Sequence, residues 1–164
     1  MNESRQSLSS SEKYVICLMC IIAGLYLILQ TISFVSSKSK LLYSTDGSII
    51  MNRNELFSLS RVITTIVLNF IGVVLFIKRK PLGWAINFAL LSLLTLLIIS
   101  ILYSNYNSPD VTMVIGLFGV LILIMGIVFL LFPTTRRKFR VNGTWISLSI
   151  ALLLLLLLFY LFLQ

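Results

Sequence analysis

From Val111 to Phe132 the chain passes through leucine, isoleucine, valine, phenylalanine and glycine without one charged side chain, and then meets Arg136, Arg137, Lys138 and Arg140 in quick succession. A helix of this composition has no polar face to turn toward water. The hydrocarbon core of a bilayer, about 30 Å thick, is crossed by about 20 such residues in helical form. Runs of the same character cover 14–35, 82–103 and 145–163. A shorter one, Val62 to Ile77, covers only about 24 Å at the helical rise. Arg61 makes up that deficit by extending its charged end to the interface, which puts the second span at 56–77. The expected fold is therefore an all-α integral membrane protein, a bundle of five transmembrane helices forming a single domain over 14–164, behind a polar tail at 1–13.

Composition agrees. The chain is 59% hydrophobic and 11% charged, with a mean hydropathy of +1.05, whereas a soluble domain is about 45–50% apolar and about 25% charged. A globule of 164 residues leaves too much of its surface in water to carry so much apolar area. The net charge of +8 does not imply nucleic acid, because the cations lie between apolar runs. There they act as topology signals and as contacts to anionic headgroups of the bilayer.

Orientation follows from counting lysine and arginine on the two sides that five spans define. One side receives Arg5, Lys13, the turn Lys78-Arg79-Lys80 and the loop containing Arg136, Arg137, Lys138 and Arg140. The other receives Lys38, Lys40, Arg53 and Arg61. Positive charge concentrates in the cytoplasm, so the N-terminus is expected inside and the C-terminus outside, in the cytoplasmic (inner) membrane of a bacterium. Trp84 and Trp145 each follow a basic turn, where interfacial aromatics belong. Arg61, Lys78, Arg79, Lys80, Trp84, Arg136, Arg137, Lys138, Arg140 and Trp145 are accordingly read as membrane-interface anchors.

Three local features leave alternatives open. Span 1 is longer than the apolar region of about 7–15 residues in a secretory signal, which favours a retained anchor. Residues 41–51, with Asp46-Gly47 at their centre, fit either a short extracytoplasmic β-hairpin on a type I′ turn or an irregular interfacial loop. Gly72-Val73-Val74 leading to Gly83-Trp84, and Gly126-Ile127-Val128 leading to Gly143-Thr144-Trp145, read either as parallel repeats of one hairpin or as the shared grammar of membrane hairpins. Downstream of the first loop, Asn54 and Glu55 form an N-terminal helix signal for span 2.

The chemistry available inside the spans is sparse. There is no histidine, so the commonest general base and metal ligand is missing. Cys17 and Cys20 have CxxC spacing but lie in an apolar run and behave as small hydrophobes. Glu12, Asp46, Glu55 and Asp110 do not cluster in sequence, and no acid or base falls between the interfacial ends of a span. Polar side chains in lipid are where function is sought first. Here they are amides and hydroxyls: Gln30, Thr31, Thr64, Thr65, Asn69, Asn87, Ser92, Thr95, Ser147 and Ser149. Asn69, near the middle of the shortest span, is expected to face another helix as hydrogen-bonding glue.

Gly116, Gly119, Leu123 and Gly126 occupy one stripe of span 4 at the left-handed packing period. Small residues let backbones approach closely, so this stripe is expected to be a packing seam against a neighbouring span or a second copy. The leucine run from Leu152 to Leu158 has no such face and is expected to look mostly at lipid. No catalytic residue, cofactor or metal site is expected. The reading is a small non-enzymatic membrane protein that binds another membrane component, as an accessory subunit or an immunity-type protein. The alternative is a small oligomeric transporter or channel. The partner is a membrane protein or a second copy, not nucleic acid.

Overall fold

In the computed structural model the described residues are 8–37, 53–104 and 111–162. They form six helices: α1 (Ser10–Ser37), α2 (Arg53–Ile77), α3 (Pro81–Ser104), α4 (Val111–Leu131), α5 (Pro133–Lys138) and α6 (Gly143–Phe162). No strand occurs among the described residues, and the hairpin proposed at 41–51 lies outside them. Four helices are long and apolar enough to cross a membrane, within Ser60–Ile77, Pro81–Ser104, Met113–Leu131 and Gly143–Leu161. α1 contains residues 14–35, the first expected span, but is not among these four, and many of its side chains beyond Leu25 lie outside the described set.

Local chemistry sets the ends of these helices. α1 begins four residues before the expected span, because Ser9 and Glu12 form a reciprocal capping box. The Ser9 backbone N–H donates to Glu12 Oε2 at 2.6 Å, and the Glu12 N–H reaches Ser9 Oγ at 3.4 Å. This arrangement satisfies two donors at the helix start, and it converts part of the supposed tail into structure. Pro133 ends α4 as expected, but it also opens α5, since proline is favoured at a first helical position. α6 starts behind Asn142, whose Oδ1 accepts the Trp145 backbone N–H at 3.3 Å.

The two basic turns share one backbone design. After α2, Arg79 N–H donates to Phe76 O and Lys80 N–H to Leu75 O, both at 2.9 Å. After α5, Arg140 N–H donates to Arg137 O at 3.1 Å and Val141 N–H to Arg136 O at 2.9 Å. Each pair is a Schellman cap, whose left-handed position is usually glycine. Here it is arginine both times, at φ 52°. The second hairpin differs from the first by the inserted helix α5.

α3 is the hub of the bundle, packed against α2, α4 and α6, while α1 closes the far side against α2 and α4. Around its first half Gly83, Trp84, Ala85, Ile86, Asn87, Ala89, Leu90, Leu91, Leu93 and Thr95 are all buried, as befits a helix apolar on every side. Gly83 is required there: a Cβ would collide with the α2 backbone at Phe76 N and Leu75 C. α6 is the outermost helix. Leu154, Leu155, Leu158 and Leu161 are exposed, while Leu156 and Ser149 are buried. The leucine run thus faces outward on most of its surface but seals α3 along one edge.

Candidate functional site

At one end of the bundle three segments converge on a single carboxylate. Glu12, at the start of α1, is buried to 1% exposure. Its Oε2 lies 3.8 Å from Arg79 Nη2, in the turn after α2, and its Oε1 lies 3.5 Å from Lys138 Nζ, at the end of α5. Oε1 has no hydrogen-bond partner among the described residues, so these cations hold it by charge rather than by direct hydrogen bonds. Phe76 and Phe139, both fully buried, stack beside this cluster with centroids 4.3 Å apart. The start of α1, the turn at 78–80 and the loop at 136–140 therefore lie at the same end. In the sequence Glu12 does not cluster with Asp46, Glu55 or Asp110, so nothing there marks it as a site. The signal was present all the same, as Ser9-x-x-Glu12 ahead of an apolar run.

The expected anchors separate into different roles. Arg79 and Lys138 are engaged with Glu12, whereas Lys78, Lys80, Arg137 and Arg140 are exposed. Arg136 is half-buried. At the opposite end Arg61 sits over the Tyr160 ring at 5.9 Å. Trp145 is half-buried at the start of α6. Trp84 does not face headgroups at all. It is fully buried, and its indole N–H donates to Leu130 O at 2.8 Å, which locks α3 to the end of α4. An indole whose single donor reaches a helix-terminal carbonyl is satisfied inside the bundle and needs no interface.

Several polar groups of the expected spans find partners inside the bundle, although the buried Asn87 Oδ1 has none among the described residues and Ser147 is exposed. Asn69 is buried on α2, and its Nδ2 donates to Met19 O of α1 at 3.2 Å. Asn87 Nδ2 donates to Gly72 O of α2 at 3.4 Å. Thr95 and Ser149 donate back to carbonyls of their own helices, Leu91 O at 2.7 Å and Ile146 O at 2.8 Å. Thr65 Oγ1 lies 2.8 Å from Arg61 O and 2.7 Å from Tyr160 Oη, a contact between α2 and α6. Cys17 and Cys20 are exposed free thiols on α1.

The stripe on α4 is not uniform. Gly126 is buried, and a Cβ there would lie 2.9 Å from Leu18 and 3.2 Å from Leu91. Leu123 is also buried. Gly116 meets Leu102. Gly119 has no neighbouring atom within 4 Å of a Cβ position. It opens instead onto an apolar groove of about 520 Å³. The groove is walled by Leu18, Ile22 and Leu25 of α1, Leu94, Ile98 and Ile101 of α3, and Leu123 of α4. Its outer residues Ile21, Leu25, Ile101 and Ile122 are exposed, so it opens sideways. Leu18 to Leu25 and Leu94 to Ile101 each cover two helical turns, about 10 Å along the bundle. No cluster of histidine, cysteine or acidic residues able to hold a metal occurs among the described residues.

Such an arrangement can accept an apolar body from within the membrane. Among the described residues that line the groove there is no nucleophile, general base or charged group. No protein-family model matches the chain, and comparisons with curated proteins and with solved structures find no match either.

Proposed function

We propose that this is a non-enzymatic membrane protein of five spans that acts by binding another membrane protein, whose apolar transmembrane helix packs lengthwise into the groove between α1, α3 and α4. The observation that carries the reading is the groove itself: three helices form it, it is open to the side, and Gly119 leaves room where two helices must approach. Transmembrane helices associate through close packing over small residues rather than through hydrophobic force. Asn69, Asn87, Thr95 and Ser149 each donate to a backbone carbonyl, and the groove is lined by apolar side chains and Gly119, which supports helix packing over a solute path. An accessory subunit or an immunity-type protein fits this description.

The proposed setting is a bacterial cytoplasmic membrane, with the N-terminus inside and the C-terminus outside. The shared end of Glu12, Arg79 and Lys138 supports the grouping of basic segments on which that orientation rests. A C-terminal reporter active only outside the cell is the expected topology result, and a cytoplasmic signal would overturn five spans. For the function, the full chain is isolated in mild detergent with and without Gly119→Leu. A stoichiometric heterologous membrane protein, lost in the variant while the fold persists, is expected. A homo-oligomer that passes solute in liposomes would overturn the reading in favour of a transporter.

A further inference from the structure

The two Schellman turns carry the same unusual residue but use it differently. Arg79 turns its guanidinium to Glu12. Arg140 stands with Arg136 and Arg137 around a pocket of about 270 Å³, completed by Pro133 and Val141. Three arginines thus line one small concavity. Glu12 is buried under Arg79 and Lys138, and no other carboxylate belongs to the side chains described. The Arg136 Nε is buried and has no hydrogen-bond partner among the described residues. Arg140 occupies a left-handed conformation that glycine would adopt without strain. Clustered like charges and an unmet buried donor at one place are features of a site shaped for an anion.

We infer that this pocket binds a phosphate group, held by Arg136, Arg137 and Arg140. The planar fork of arginine matches phosphate oxygens two at a time, which a lysine cannot do. The pocket lies directly after the apolar run of α4 and before Trp145 of α6, at the depth where phospholipid headgroups lie. A lipid phosphate therefore reaches it without leaving the membrane, and a soluble phosphate reaches it from water. In the turn at 78–80 the central arginine is instead turned toward Glu12.

Two arms of one experiment separate the sources. In the first, the full chain is reconstituted in phosphatidylcholine with phosphatidylglycerol, extracted gently and weighed by native mass spectrometry. In the second, lipid-free protein in neutral detergent is melted with and without inorganic phosphate. Wild type is compared with Arg137→Gln/Arg140→Gly and with Lys78→Gln/Lys80→Gln, which removes as many charges from the other turn. Arg140→Gly relieves the left-handed strain, so the first variant keeps its fold.

Losing two arginines that hydrogen-bond one phosphate should lower phosphatidylglycerol retention by at least about tenfold in the arginine variant, and retention should hold in the lysine variant, whose substitutions lie outside the pocket. A phosphate-induced rise in melting temperature, present in wild type and lost in the arginine variant, would support the same site with a soluble ligand. Equal behaviour of wild type and arginine variant in both arms overturns the inference. So does an equal loss in the lysine variant, which would mean bulk surface charge.

Discussion

Replacing Glu12 by glutamine separates the two tasks that its carboxylate performs. Glutamine at this position still accepts the Ser9 N–H as part of a capping box, but it carries no charge for Arg79 and Lys138. At 3.5 and 3.8 Å and an effective dielectric constant of about 20, each pair attracts by about 4–5 kcal/mol before desolvation. The cations are 24% and 40% exposed, so water screens them and each pair contributes only about 1 kcal/mol net. Glu12→Gln should therefore cost about 1–2 kcal/mol. Glu12→Ala also loses the cap, which adds about 1 kcal/mol.

The reverse deletion should be worse. Arg79→Met with Lys138→Met leaves a fully buried carboxylate without a cation, and losses of this type run to about 3–5 kcal/mol. The second cation removed should cost more than the first. Adding Glu12→Gln to that pair should restore much of the loss. Unfolding by denaturant titration in a fixed detergent, followed by tryptophan fluorescence, measures the series. Trp84 is suited to report it, since its indole is buried between α3 and α4. If the two cation deletions add within about 0.5 kcal/mol, or if the double variant is milder than Glu12→Gln, the carboxylate does not organise this end of the bundle.

Asn69→Leu removes the bond to Met19 O and should lower stability by about 0.6–2 kcal/mol while leaving partner capture unchanged, as a detergent melt and a pull-down on the same preparation would report. Gly83→Ala drives a methyl group into the α2 backbone rather than into a side chain that can move aside. The expected loss is at the upper end of about 1–3 kcal/mol, and a melting temperature equal to wild type would show that α2 and α3 are less closely packed than described. Trp84→Phe keeps the ring but drops the donor to Leu130 O; a loss of about 1 kcal/mol is expected, read as a lower denaturant midpoint.

Hydropathy alone determined the long helices and their approximate limits, because hydrocarbon thickness and backbone satisfaction leave a chain of this composition few other choices. The extents of α3, α4 and α6 follow the apolar runs to within a few residues, α2 begins at Arg53, three residues before the expected span at 56–77, and Pro133 stops α4 where proline must. Asn69 was legible as an inward-facing amide because an unpaired amide in lipid is too costly to leave exposed.

What hydropathy does not encode is which helix lies beside which. The end of the tail, from Ser9, is a capped helix start only because Ser9 and Glu12 satisfy one another, and Glu12 matters only because two cations from distant turns arrive at it. Trp84 has an interfacial position in the sequence but an interior one in the bundle, since the α4 terminus offers a carbonyl to its N–H. The glycine stripe of α4 reads as one continuous seam along the chain. Packing divides it, with Gly126 and Leu123 closed against neighbours and Gly119 left open on the groove. Three-dimensional neighbours decide these points. A period along one helix states which residues share a face, and only the partner helices determine whether that face is covered.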